Sequence, residues 1–482
     1  MKSLLAAAFG LLLTACQPAP PAADADVPPA AGATPALVDP AHIDRVLREV
    51  VEQDRAVGVS ALVYERGQEA YFGAFGMADR EADRPMARDT LAQIYSMTKP
   101  VSGVVLMTLY DEGKFQLDEP LSTYLPEYAD VRVYAGEDAS GAPVLEAPQR
   151  PILVRDILRH TAGFAAAFED DAPAKLYREA DIDTRAITLE EMSQRLARVP
   201  LAYQPGTRWL YGISVDVQAR LAEVLAGKPF AQLVRERVLD PLGMSETAYF
   251  VPQERRDRMM AVYELRDAGG FDRLPDAPFL DNAYREWTMA PGGYGLVSTL
   301  DDYMRFGRML ANGGELDGVR VLEADTVALM ASDDLPDTVG DRSWLPGKGQ
   351  VGFGIDFAVR HSPPAHQGEA SGAVGEFFWD GFANTLFWVD PKHDLVAVLF
   401  TQSIPPGGTD LHKRFRDAVY HRDAEASSAN KPPAPPATDA DPADTEPEAD
   451  EGAGAAADAD GEADAALGAD ALAGAGGEPG AA

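Results

Sequence analysis

Tyr95-Ser96-Met97-Thr98-Lys99-Pro100 leads into an apolar stretch that begins Val101-Ser102-Gly103-Val104-Val105-Leu106. The run predicts a helix over 101–112, entered through Lys99 and Pro100. Proline suits a first helical turn, where its missing N–H costs little. Positions i and i+3 of a helix share a face, so Ser96 and Lys99 point into the same space. A serine hydroxyl is a weak nucleophile and needs a base. A lysine can be that base if burial and nearby cations lower its pKa from about 10.4. The spacing alone is weak: Ser428-Ala429-Asn430-Lys431 repeats it, followed by Pro432-Pro433. No helix follows there, so that pair would not be aligned.

Working outward, Ile43, Val46, Leu47, Val50 and Val51 recur at helical spacing and predict a helix over 42–56. Residues 59–64 and 69–75, joined at Arg66-Gly67-Gln68, read as a hairpin. Residues 383–389 and 395–401 flank Asp390-Pro391-Lys392-His393-Asp394 as a second hairpin. A closing helix follows over 411–420, and further helices are expected over 215–225, 230–238 and 299–311. Helices at both ends with hairpins inboard imply an α/β protein of the α+β type. Its antiparallel sheet is built from N- and C-terminal segments and flanked by helices, with a mostly helical inserted subdomain.

The chain of 482 residues carries a formal net charge of −35. A surface that acidic repels phosphate backbones, so no nucleic-acid partner is expected. Cys16 is the one cysteine, which excludes an internal disulfide and a cysteine metal cluster. The seven histidines show neither HxH nor HExxH spacing, so no metal or other cofactor is expected.

Lys2 precedes an apolar run from Leu4 to Leu13, too short to span a bilayer but suited to a signal peptide. Leu13-Thr14-Ala15-Cys16 resembles the lipobox of bacterial lipoproteins. The resemblance implies a signal peptide over 1–15, lipid attachment at Cys16, and a cell-envelope location on the periplasmic face of a membrane. Residues 16–40, rich in Pro and Ala, read as a tether. A folded domain is expected over 41–421 and an acidic tail over 422–482. Thirteen acidic residues and no Lys or Arg lie in 432–482. Such a segment cannot offset its ordering entropy by burial and is expected to be disordered.

Five blocks, in order, are similar to the serine β-lactamase-related family, which holds class C β-lactamases, family VIII carboxylesterases and D-specific peptidases. They are Ile94-Tyr95-Ser96-Met97-Thr98-Lys99, Leu158-Arg159-His160-Thr161-Ala162-Gly163-Phe164, Pro205-Gly206 through Tyr211-Gly212, Gly292-Gly293 through Ser298-Thr299 with Asp302, and Trp379-Asp380-Gly381 ahead of Trp388-Val389-Asp390-Pro391.

The resemblance implies Ser96 as nucleophile, with Lys99 and Tyr211 sharing the base role. A phenol near a lysine ammonium gains phenolate character, so the two should titrate as a coupled set. The implied oxyanion donors are the backbone N–H groups of Ser96 and Phe382. Gly381 lets the strand approach the substrate. Trp379 stands where lactamases and D,D-peptidases carry Lys or His; His366-Gln367-Gly368 is a rival placement of that block. Ile213 replaces a family Asn two residues after the tyrosine. Trp379 and Ile213 are therefore expected at the substrate. His160 reads as a turn residue. No GxSxG elbow exists, which argues against an α/β-hydrolase.

The expected function is a serine hydrolase forming an acyl-enzyme on a small-molecule ester or amide, foremost a carboxylesterase. A D-amino-acid peptidase or weak β-lactamase shares that chemistry. A catalytically inactive envelope-binding module is the rival from another class.

Overall fold

The computed structural model describes residues 36–167, 169–276, 281–339 and 348–421. The signal peptide, Cys16, most of the tether, Ser428 and the acidic tail lie outside the described residues.

Helix α1, Pro40–Glu52, begins two residues earlier than its apolar spacing predicts. Asp39 caps it, accepting from the Ala41 and His42 N–H groups, and Pro40 fills the first turn. It stops short of residue 56 because Asp54 turns into a left-handed backbone (φ 52°). Strands β1, Gly58–Glu65, and β2, Gln68–Asp79, form the first hairpin, and the short β3, Arg84–Pro85, follows.

From the far end come β4 (Val351–Phe353), β5 (Ala358–Arg360), β6 (Phe377–Asp380), β7 (Leu386–Asp390) and β8 (Leu395–Phe400). These eight strands make one sheet in the order β4-β5-β6-β7-β8-β1-β2-β3. All its pairings are antiparallel. The two chain ends meet where β1 pairs with β8, with Ser60 opposite Phe400 and Glu65 opposite Leu395.

β8 reads Leu-Val-Ala-Val-Leu-Phe and is buried throughout, because both faces of the sheet are covered. On one face, Trp388 packs edge-on against Phe415 of the closing helix, Leu411–Val419. Tyr71, on the same side, donates to Asp44 of α1. On the other face, Phe387 meets Tyr303 and Phe306 of the helix Leu300–Ala311. There Gly307 leaves room for Val396, whose Cγ1 would lie 2.6 Å from an added Cβ. Helix on sheet on helix is a standard way to bury two apolar sheet faces.

Helix α2, Thr98–Asp111, is buried from Thr98 to Leu109. A helix buried on nearly every side belongs in an interior, and α2 packs against the inserted segment. Tyr303 donates to the Met97 carbonyl at 2.8 Å, tying its start to the helix Leu300–Ala311. The insertion is mainly helical, as expected, with the helix α3 (Ser214–Ala226) against α2. It also holds short hairpins that no periodicity announced, including Val133–Glu137 with Pro143–Glu146. The expected helix over 230–238 is a helical turn, Phe230–Val234, followed by a wide i→i+5 turn over Arg235–Leu239.

Candidate active site

The chain turns sharply into α2. Tyr95 adopts a left-handed backbone, φ 43°, a strained state for a residue with a Cβ. Ser96 follows in a single 3₁₀ turn, Tyr95–Met97, that leads directly into the helix. Lys99 then lies one turn on, and its Nζ donates to Ser96 Oγ at 3.1 Å and to the Gly293 carbonyl at 2.8 Å. The lysine is 6% exposed.

Tyr211 comes from the segment leading into α3. Its ring lies under the ammonium, with Lys99 Nζ 4.5 Å from the centroid. Trp379, on β6, donates its indole N–H to Tyr211 Oη at 3.1 Å. The tyrosine is further flanked by His160, centroids 4.9 Å apart, and stacked with Trp209 at 6.0 Å. Ser96, Lys99, Tyr211 and Trp379, from three distant segments, are thus brought together.

Gly381 continues β6 past the start of α2. A Cβ there would stand 2.6 Å from the Ile94 carbonyl oxygen, so only glycine permits this approach. Phe382 packs its ring against Tyr95, centroids 5.8 Å apart. The Gly381–Phe382 peptide therefore runs beside the turn that carries Ser96. Ile213 is the residue before α3; its carbonyl accepts from Asp216 N–H at 2.9 Å, and its side chain packs partly buried on the core.

Trp379 is only 2% exposed, so its polar tip is given to Tyr211 and not to open space. The rival His366 is far more open, with its side chain 70% exposed and 3.6 Å from Glu369. His160 is buried in a left-handed turn (φ 56°) among Trp209, Tyr211 and Phe353. Burial, aided by the Lys99 charge, holds its pKa well below the ordinary imidazole value, so it is neutral. Asp302 serves structure: it accepts from Glu246 N–H and Thr247 Oγ1.

Two neighbours escaped the sequence reading. Asp216, on the first turn of α3, is 4% exposed and accepts from Gly293 N–H at 3.4 Å. Its signal was faint: one acid between Val215 and Val217 in a first helical turn. Lys348 lies 5.3 Å from the Trp379 ring centroid and pairs with Asp380. No motif marks it. It supplies a cation beside Trp379, and Asp380 pairs with it. Among the described residues no group of three or more potential metal ligands occurs.

Comparison with known proteins gives the same picture. The Beta-lactamase family model matches residues 43–422. Protein Rv1367c of Mycobacterium tuberculosis is 34% identical over 369 residues, covering 76% of this chain and 90% of its own length. Esterase EstB of Burkholderia gladioli is 30% identical over 404 residues, covering 79% of this chain and 95% of its own. Among solved structures, EstCE1, described as a hydrolase with promiscuous acyltransferase activity, superposes with a TM-score of 0.66 at 26% identity, over 79% of this chain and 98% of its own. Simvastatin synthase LovD from Aspergillus terreus shares the fold, with a TM-score of 0.68 at 23% identity over 80% of this chain and 100% of its own. Taken with the Ser-Lys-Tyr grouping on an antiparallel sheet with a helical insertion, these matches show that the chain belongs to the Beta-lactamase family and is a serine hydrolase.

Proposed function

We propose that the protein is a carboxylesterase that cleaves small esters through an acyl-enzyme at Ser96. The observation that carries this is the contact of Lys99 Nζ with Ser96 Oγ at 3.1 Å, with the Tyr211 ring against the same ammonium. Ser96 Oγ attacks the ester carbonyl carbon, and its proton passes to the Lys99–Tyr211 set. The oxyanion forms beside the Ser96 and Phe382 N–H groups. Collapse breaks the bond to the alcohol, which takes the proton. Water then attacks the acyl-Ser96 ester by the same route and releases the acid.

Esters are favoured over β-lactams and D-Ala peptides by the surroundings of Trp379. Those substrates carry a carboxylate near the reacting carbonyl, and desolvating it without a charged partner costs several kcal/mol. Trp379 is neutral, Lys348 is already paired with Asp380, and Ile213 offers no polar side chain. The name of Esterase EstB points the same way. An inactive binding module would have no use for an ordered Ser96–Lys99 pair.

The lipobox-like Leu13-Thr14-Ala15-Cys16 supports lipid attachment at Cys16 and a place in the cell envelope. The test of the chemistry is a fluorophosphonate probe with peptide mapping, alongside hydrolysis of a p-nitrophenyl short-chain ester. Ser96→Ala should abolish both signals while the fold persists. Labelling elsewhere, or undiminished turnover, would refute the assignment.

A further inference from the structure

Asp216 has no part in the steps above, yet it is built into the same turn as the lysine. From α3 its carboxylate accepts from Gly293 N–H at 3.4 Å and from Gly292 N–H. The carbonyls of that turn face α2: Gly293 O receives Lys99 Nζ at 2.8 Å and Gly292 O receives Ser102 Oγ at 2.6 Å. Two helices thus hold one Gly-Gly turn, one by an acceptor and the other by donors.

The glycines are required by space. A Cβ on Gly292 would lie 2.2 Å from the Val215 carbonyl oxygen. A Cβ on Gly293 would lie 2.9 Å from Asp216 Oδ2 and 3.3 Å from Lys99 Nζ. Carboxylate and ammonium therefore converge on the same point from opposite helices.

We propose that Asp216 is a positioning residue for Lys99: its carboxylate fixes the turn that receives the lysine, and its charge sets how readily Lys99 takes the Ser96 proton. The proposal rests on the roles given above to Ser96 and Lys99. Burial pushes the Asp216 carboxyl up to about 6, against the opposing pull of Lys99 and the two glycine N–H groups. The other groups whose charge reaches it are Asp183, Arg185, Tyr177, Tyr249 and Tyr294. The three tyrosines are held above the ordinary phenol value by burial, so they stay neutral. Asp183 is itself raised by burial, and Arg185 remains cationic although burial lowers it; on the Lys99 side the groups that meet its charge are Asp356 and His160, and burial holds both neutral.

The sign follows directly. An ionised Asp216 favours the ammonium form of Lys99, and the neutral lysine is the proton acceptor. Asp216→Asn keeps the shape and an acceptor oxygen but removes the charge. The acid limb of kcat/KM should move to lower pH by about one unit. Asp216→Glu keeps the charge and should keep the limb, with a lower kcat from the displaced turn.

The experiment measures p-nitrophenyl ester kcat/KM and fluorophosphonate labelling of Ser96 between about pH 5 and pH 9 in the wild type and both variants. A purely structural role would lower activity without moving the limb; an unmoved limb in folded Asp216→Asn overturns the proposal. If that variant does not fold, Asp216→Glu decides. A wild-type acid limb that Asp216→Glu, which keeps the charge, leaves in place supports the proposal, and a limb that moves in Asp216→Glu overturns it. Absent Ser96 labelling in the wild type would instead overturn the serine-hydrolase chemistry and this proposal with it.

Discussion

Trp379→Phe separates two uses of the indole: bracing Tyr211 or walling the substrate. The substitution keeps an aromatic ring and deletes the donor that meets Tyr211 Oη at 3.1 Å. A neutral hydrogen bond is worth about 0.5–1.5 kcal/mol net, and one to a charged group about 1.5–3 kcal/mol. If Tyr211 stays neutral through the transition state, kcat should fall about two- to twelvefold. If negative charge develops on its oxygen, the fall should be about ten- to hundred-and-fiftyfold. KM should hardly change, because Trp379 is 2% exposed and offers a substrate little surface. The smaller ring leaves space behind, so stability should drop by about 1–3 kcal/mol. A thermal melt separates that loss from the catalytic one. Steady-state kinetics on a p-nitrophenyl ester, with labelling rates as a check on the acylation half-reaction, read the outcome. An effect confined to KM, or a kcat within twofold of wild type in a folded variant, would show that the indole does not support Tyr211.

Lys99→Ala and Tyr211→Phe should each cost about 10²–10⁴-fold in kcat, and the double variant less than the product, since groups acting as a unit are non-additive; full additivity in the same assay would mean independent roles. Asp380→Asn unpairs Lys348 beside Trp379, so the ratio of cephalosporin to ester kcat/KM should rise roughly tenfold; an unchanged ratio would show that this ion pair does not govern carboxylate substrates. Asp156 is fully buried between Arg150 and Arg159 and accepts from Thr161 beside His160, so Asp156→Ala should lower stability by about 3–5 kcal/mol in denaturant titration. Cys16→Ser should move the protein from the membrane to the soluble fraction, and a chain trimmed to residues 36–431 should keep its esterase activity.

The parts of the site that lie close in sequence were readable because local geometry carries them. Ser96 and Lys99 are one turn apart, and the apolar helix that follows them aligns the pair. The two hairpins announced themselves by apolar strands around turn residues, and they form the strands where the chain ends meet. Tyr211 was found by a block resemblance, since nothing local separates it from the other tyrosines. Asp216 and Lys348 were not found. Each acts through a tertiary neighbour, Asp216 through the Gly292-Gly293 turn and Lys348 across Trp379. A helix position or a loop lysine carries no trace of what will be folded against it. The same holds for Trp379, whose partner proved to be a side chain 168 residues earlier. The start of α1 was legible after all: Asp39-Pro40 is a cap and first turn that apolar periodicity alone passes over.

The seam between β1 and β8 has a consequence for how the chain is made. Ser60 waits for Phe400, about 340 residues later, which is some tens of seconds at a synthesis rate of roughly 5–20 residues per second. Through that interval the first hairpin presents an apolar strand edge with no neighbour, the kind of surface that recruits other chains. A ribosome-bound intermediate therefore needs shielding until its last strands emerge. Hydrolytic activity, which draws on residues from both sides of that seam, can begin only after the final strand has docked.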